Sequence, residues 1–260
     1  MDELIDRALA EDVGDGDLTT RMLVPPDLRA TARIEQREPG VVAGLDVAAV
    51  VFDRFDVRLE PGKDVVARLD GPAAGILTGE RTALNFLGRL SGIATLTARY
   101  VEAVEGTGAR ILDTRKTTPG MRALEKAAVV AGGGVNHRLG LFDAVMVKEN
   151  HAAVAGGLAA ATRKAVAEAP EGVEVCVECE TPEDVDIAVE AGARRLLLDN
   201  MPLGDLVECV ARAGGRATLE ASGGITLENV REVAETGVDY ISVGALTHSA
   251  RALDLSLLFD

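Results

Sequence analysis

From Gly108 onward the chain repeats one unit. Apolar runs at Arg110–Thr114, Ala144–Lys148, Val173–Cys179, Arg195–Asp199, Ala217–Ser222 and Tyr240–Gly244 alternate with helix-patterned stretches. Those stretches lie near Met121–Ala131, Ala153–Ala169, Pro182–Ala191, Pro202–Ala213 and Leu227–Thr236. The polar or glycine ends of the runs are Asp113, Lys148, Glu178, Asp199, Ser222 and Gly244, at intervals of 35, 30, 21, 23 and 22 residues. Repeated βα units of that size require a parallel sheet covered by helices. Composition agrees: 47% of residues are hydrophobic but only 3% aromatic, so the core is built from Val, Leu, Ile and Ala, the side chains of buried parallel strands.

A closed barrel of eight units takes about 250 residues, and only about 150 follow Gly108. A smaller or incomplete α/β barrel fits that length, and an open doubly wound sheet is the other solution. In both, the C-terminal ends of the strands carry the site. That rule gathers Arg115, Lys116, Lys148, Glu178, Asp199 and Ser222 at one mouth.

Charge singles out the same region. The chain carries a formal net charge of -15, yet Arg115, Lys116, His137, Arg138 and Lys148 crowd into Asp113–His151 with two of the three histidines. Arginine grips carboxylates as a planar fork. Several such cations in one pocket call for a ligand with more than one carboxylate or phosphate. Singly, each also reads as a surface ion pair. Ser222-Gly223-Gly224-Ile225-Thr226 and Ser242-Val243-Gly244-Ala245 each join a strand end to a helix. The last two loops of a βα barrel commonly present backbone N–H groups to a phosphate. Glu178 and Asp199 end adjacent strands, where they would hold a divalent metal or ribose hydroxyls, or simply neutralise the basic cluster. Glu125-Lys126 reads as a helix face away from the chemistry.

Before the repeat lies a smaller α+β unit. A short helix through Leu4–Leu9 runs into Glu11–Thr20, where Gly and Asp density marks a turn. An EF-hand is excluded there, because the glycine spacing is wrong and no Glu closes a twelve-residue loop. Strand patterns follow at Ala32–Glu35, Gly40–Ala43, Val57–Leu59 and Val65–Leu69, with a helix at Leu45–Phe55. A helical stripe then spans Gly79–Val104, with Arg81 at its start and a break expected near Ser91-Gly92.

The acidic balance argues against a nucleic-acid partner, since phosphate backbones need a broad basic surface. The acidic N-terminus has no apolar signal region, and no uncharged run is long enough for a bilayer. These features point to a soluble cytoplasmic protein. Cys176-Val-Glu-Cys179 lacks the second ligand pair that zinc requires, and its strand-like setting points the two thiols to opposite faces. Ordinary buried thiols are expected. The 22 Arg against five Lys, with 42 Asp and Glu, suit a high-salt cytoplasm, where screening removes carboxylate repulsion. Unfolding midpoints are therefore expected to rise from dilute buffer to molar salt, and indifference to salt would refute that origin.

Five blocks together resemble the quinolinate phosphoribosyltransferases, the carboxylating nicotinate-nucleotide pyrophosphorylases. They are Asp113–Gly120, Gly132–Arg138, Val147–His151, Leu198–Met201 and Glu220–Ile225. Glu11–Thr20 and Gly79–Asn85 look like the N-terminal motifs of that family, so the resemblance covers nearly the whole chain. Departures are small: Glu149 stands where Asp is frequent, and Cys176 and Cys179 interrupt a Val/Glu strand.

The resemblance implies an N-terminal open sandwich domain (1–104, with 253–260 returning to it) and an incomplete six-stranded α/β barrel (105–252). It implies a homodimer in which Arg81 reaches the partner's site. Arg115, His137, Arg138 and Lys148 would join that Arg81 on the carboxylates of quinolinate. Lys116 and Lys148 would lie near the pyrophosphate of phosphoribosyl pyrophosphate or near the reacting centre. Glu178 and Asp199 would face ribose hydroxyls and magnesium, and Ser222, Gly223 and Gly244 the 5-phosphate. Three other readings stay open: a Schiff-base lyase using Lys148, a non-catalytic sugar-phosphate binder, and a transferase acting on nicotinate or another ring.

Overall fold

The computed structural model describes residues 1–260, which pack into two units. The first comprises Met1–Leu96, Pro119–Gly132 and Ala250–Asp260; the second comprises Thr97–Thr118 and Gly133–Ser249. The chain opens with helices α1 (Asp2–Val13) and α2 (Leu18–Leu23), strand β1 (Arg29–Gln36) and helix α3 (Leu45–Asp53). Strands β2 (Arg58–Pro61) and β3 (Ala67–Pro72) precede the long helix α4 (Ala73–Ala103). Strand β4 (Arg110–Leu112), helix α5 (Arg122–Ala131), strand β5 (Ala144–Val147) and helices α6 (Glu149–Val154) and α7 (Leu158–Glu168) follow. Then come β6 (Glu174–Cys179), α8 (Pro182–Glu190), β7 (Arg195–Asp199), α9 (Leu203–Ala213) and β8 (Thr218–Ser222). The chain ends with α10 (Val230–Glu235), β9 (Tyr240–Ser242), α11 (Ala245–His248) and β10 (Leu255–Phe259).

In the first unit, four antiparallel strands run in the order β10-β1-β3-β2. Strand alternation buries Ala32 and Ile34 of β1 and Ala67 and Leu69 of β3, with intervening side chains turned outward. The Asp-rich turn before α2 is a helix start: Asp17 Oδ1 accepts the Thr20 N–H at 2.9 Å, a side-chain cap of ordinary geometry. Gly40–Ala43 forms no strand. Two of its N–H groups go instead to α4 side chains, with Val41 N donating to Thr95 Oγ1 at 2.9 Å and Ala43 N to Ser91 Oγ at 3.0 Å.

Those contacts explain why α4 runs unbroken through Ser91-Gly92. Ser91 is fully buried, and the two small residues let other backbone approach the helix. A Cβ built on Gly92 would lie 2.0 Å from the Arg251 carbonyl oxygen. Helix propensity alone would reward Gly92→Ala by about 0.5–1 kcal/mol. The clash is with backbone and cannot rotate away, so the substitution is expected to destabilise by roughly 1–3 kcal/mol. A denaturant midpoint at or above wild type would show that propensity wins. In the same unit α5 buries both Glu125 and Lys126, and Arg89 Nη2 reaches Glu125 Oε1 at 2.9 Å.

The second unit holds six parallel strands in the order β4-β9-β8-β7-β6-β5, the incomplete α/β barrel. Its residues fill their roles plainly: Leu196, Leu197 and Leu198 of β7 are buried, as are Val177 and Cys179 of β6. Thr181 caps α8 reciprocally with Asp184, and Pro182 stands in its first turn, as a capping box requires. The expected single helix over Ala153–Ala169 is two, because Gly156 and Gly157 adopt φ of 85 and 102, a conformation a helix cannot contain. Beyond the ladder, Val135 pairs with Leu112 on the edge of β4 that β9 leaves open. No helix is long and apolar enough to cross a membrane.

Candidate active site

Parallel pairing brings the strand ends to one edge. Asp199 lies in register with Ser222, and Ser222 with Ser242. Arg115 and Lys116 follow β4, Lys148 follows β5, and Glu178 is the penultimate residue of β6. The predicted mouth is therefore assembled by one sheet. Lys148 Nζ reaches Glu178 Oε2 at 2.6 Å, with the lysine side chain 44% exposed and the glutamate 6%. Burial, first of all, raises the Glu178 carboxyl above its ordinary value; Lys148 pulls it down, and Glu149 and Asp199 push it further up. A proton or a second cation at Glu178 relieves that strain.

The glycine loops are shaped by close approaches. A Cβ on Gly223, whose φ is +95, would stand 2.1 Å from Asn200 Oδ1. Asn200 holds the loop by donating its N–H to the Ser222 carbonyl at 2.8 Å. It adopts φ 54 to do so, a region Asn tolerates. Asn229 closes the same turn, accepting Thr226 N–H at 2.8 Å and donating to the Gly224 carbonyl at 3.0 Å. A cavity of about 220 Å³ adjoins it, lined in part by Met201, Leu206, Ser222, Gly223 and Asn229. At the next strand end, a Cβ on Gly244 would lie 3.3 Å from Lys116 Cδ and 3.1 Å from His248 Nε2. Thr247 Oγ1 ties that turn to the loop after β4 by donating to the Lys116 carbonyl at 2.8 Å.

The cationic half stands on buried acid. Asp113 is fully buried and its Oδ1 accepts the His137 N–H at 2.9 Å. Burial and the neighbouring charge of Arg115 both depress the Arg138 guanidinium. Two cations that penalise each other favour an anion between them. Beneath them lies Glu220, fully buried, with Arg195 Nη2 at 2.7 Å from Oε2 and the Ser242 hydroxyl donating to Oε1. Arg195 also lies 4.4 Å over the Tyr240 ring. His137 Nε2 is 3.4 Å from Glu220 Oε2, an electrostatic contact longer than a good hydrogen bond. Burial opposes ionisation of Glu220, but His137, Ser242 and Arg195 outweigh it and hold the carboxyl below its ordinary range.

Glu220, Arg195 and His248 were not singled out as site residues by spacing. The available signal was a charged residue inside an apolar strand run, as in Leu219-Glu220-Ala221, which burial tolerates only when paired. Arg81 is exposed on α4 and belongs to the other unit. The three cysteines are free and buried. Burial pushes the thiols of Cys176 and Cys179 far up and that of Cys209 to about 11, which removes them from nucleophilic chemistry.

Fold and site define an α/β-barrel protein whose strand-end mouth is lined by Arg and Lys side chains, and the comparisons narrow the class. The quinolinate phosphoribosyl transferase N-terminal domain profile matches residues 17–91, and the C-terminal domain profile residues 93–258. The carboxylating nicotinate-nucleotide pyrophosphorylase of Mycobacterium leprae is 46% identical, over 98% of this chain and 95% of its own. The probable enzyme of that name from Bacillus subtilis is 41% identical, over 99% and 92%. Among solved structures, the nicotinate-nucleotide pyrophosphorylase of Francisella tularensis superposes with a TM-score of 0.94 at 39% identity, covering 99% of this chain and 95% of that one. The chain belongs to the quinolinate phosphoribosyltransferase family.

Proposed function

We infer that this chain transfers the phosphoribosyl group of phosphoribosyl pyrophosphate to quinolinate with decarboxylation. The products are nicotinate mononucleotide, pyrophosphate and carbon dioxide, a step of NAD biosynthesis. The observation that carries the reading is the division of one strand-end mouth. Arg115, Lys116, Arg138 and Lys148 form a cationic half; Glu178, Asp199 and the turns at Ser222–Gly224 and Gly244 form the other.

Quinolinate, a dicarboxylate, takes the cationic half, with Arg115, Arg138, Lys148 and, alongside them, His137. Arg81 of the partner subunit completes this half in a homodimer. Ser222, Gly223 and Gly244 hold the 5-phosphate, where a Cβ on Gly223 would collide with Asn200 and one on Gly244 would crowd His248 and Lys116. Glu178 and Asp199 would face the ribose hydroxyls and hold magnesium. That donor set suits magnesium: no group of three or more His, Cys, Asp or Glu side chains forms a metal cage, and Mg²⁺ is ordinarily held by one or two carboxylates with substrate phosphates and water. Bound there, the ion neutralises charge on the pyrophosphate.

As pyrophosphate departs through an oxocarbenium-like state, Lys116 and Lys148 offset the negative charge it gathers. The pyridine nitrogen attacks C1 of the ribose with its own lone pair, so no general base is required. The nitrogen thereby becomes cationic and accepts the electron pair left when the adjacent carboxylate leaves as carbon dioxide. The protein's main task is to hold two mutually repelling anions in line. Lys148 is engaged as a donor to Glu178, which disfavours a free nucleophilic amine and with it a Schiff-base lyase. A cytoplasmic location is the reading that the buried free thiols support.

Incubation with quinolinate, phosphoribosyl pyrophosphate and magnesium is expected to yield nicotinate mononucleotide. Product from nicotinate, with none from quinolinate, would overturn the substrate assignment.

A further inference from the structure

Glu220 occupies the middle of β8, fully buried, and the reaction described above does not use it. Its Oε1 accepts the Ser242 hydroxyl. Its Oε2 accepts Arg195 Nη2 at 2.7 Å and faces His137 Nε2 at 3.4 Å. On the far side of the imidazole, Nδ1 accepts the backbone N–H of Arg138 at 2.6 Å. A ring nitrogen that accepts a hydrogen bond carries no proton, so the proton of the neutral ring sits on Nε2. Electrostatics agrees, because Nε2–H toward a carboxylate oxygen is attractive and a bare lone pair there is repulsive. Asp113 fixes the same turn from the other side through the His137 N–H, at 2.9 Å. The next residue is Arg138, whose guanidinium also donates to the Ala144 carbonyl at 3.3 Å.

We propose that Glu220 is a positioning residue for the quinolinate half of the site, holding His137 in its Nε2–H tautomer so that Nδ1 fixes the Arg138 main chain and aims its guanidinium. His137 then serves the quinolinate half beside those cations as a neutral ring, through Arg138. Arg195 and Ser242 in turn keep the Glu220 carboxylate charged and aimed. The role at the ligand rests on the dicarboxylate reading of the site; the tautomer does not.

The test is two-bond ¹⁵N–¹H correlation on protein labelled with ¹⁵N-histidine. With three histidines in the chain, spectra of H151Q and H248Q leave the His137 signals assigned. At neutral pH a pyridine-type Nδ1 and a pyrrole-type Nε2 are expected for His137. The opposite tautomer, or a ring protonated on both nitrogens, overturns the proposal without reference to any activity. Kinetics then addresses the ligand. In E220Q the KM for quinolinate is expected to rise roughly tenfold or more, the loss of one charge-assisted hydrogen bond from a misaimed Arg138 guanidinium to the ligand carboxylate. The KM for phosphoribosyl pyrophosphate is expected to stay unchanged, and E220D to recover part of the loss. An unchanged His137 tautomer in E220Q, or both KM values rising together, marks Glu220 as merely structural and also overturns it. If wild type makes no nicotinate mononucleotide, the functional reading fails while the tautomer result still stands.

Discussion

Lys148→Ala is expected to lower kcat by about 10²–10³-fold, the usual loss when a group aimed at developing charge is removed. The stability cost should be small, because the ammonium is 44% exposed and its ion pair with Glu178 is partly screened. The neighbouring carboxyl supplies a second readout. Burial already raises Glu178, and Lys148 is the group that opposes the rise. In the variant Glu178 therefore moves further up, and any metal affinity that depends on its ionised form shifts to higher pH. The proposed homodimer with its shared site is tested by mixing. In a random equal mixture of Lys148→Ala and Arg81→Ala subunits, half the dimers are mixed and each has one intact site, so about a quarter of wild-type activity returns. If both residues serve their own subunit's site, mixing returns none.

Arg195→Met is expected to destabilise the chain by about 3–5 kcal/mol, because it strips a buried carboxylate of its closest basic partner, at 2.7 Å. Glu220 has no exposed surface, so water cannot replace the guanidinium. The dependence on pH has a definite sign. The folded Glu220 carboxyl lies below its ordinary value of 4.5. Its contribution is thus fully present above that value and is lost as pH falls through the lower folded one. In the variant, burial acts with less opposition and the carboxyl rises, so the gap between wild type and variant should narrow on acidification. Denaturant unfolding of both proteins from neutral pH to below 4.5 checks this; a constant gap would show that Arg195 acts by packing alone.

The repeat was legible because each strand is a short apolar run with a polar end. Arg195–Asp199 is read to the residue, since its three consecutive leucines are all buried, as a strand covered on both faces requires. The strand-end cluster was legible for the same reason, as parallel strands place their C-termini together. What spacing could not show is what depends on a third element. Ser91-Gly92 resembles a helix break until the backbones of Ala43 and Arg251 are placed against it. Gly40–Ala43 resembles a strand, but its donors go to Ser91 and Thr95. Arg195 and Glu220 sit 25 residues apart on neighbouring strands, and no local pattern pairs them. The role given to Arg81 came from family resemblance, whereas the phosphate turns were read from their place at the last two strand ends.

The strand order of the first unit has a consequence for synthesis. β1 lies between β3 and β10, and Arg33 pairs with Asp260 across 227 residues of chain. At 5–20 residues per second, that partner emerges roughly 10–45 s after β1. For that interval β1 presents a row of unpaired backbone groups, the kind of template on which other nascent chains assemble. Arg29 and Arg33, which alternate outward along it, are charges of the kind that discourage such pairing. The early strand must therefore stay soluble on its own before its late neighbour arrives.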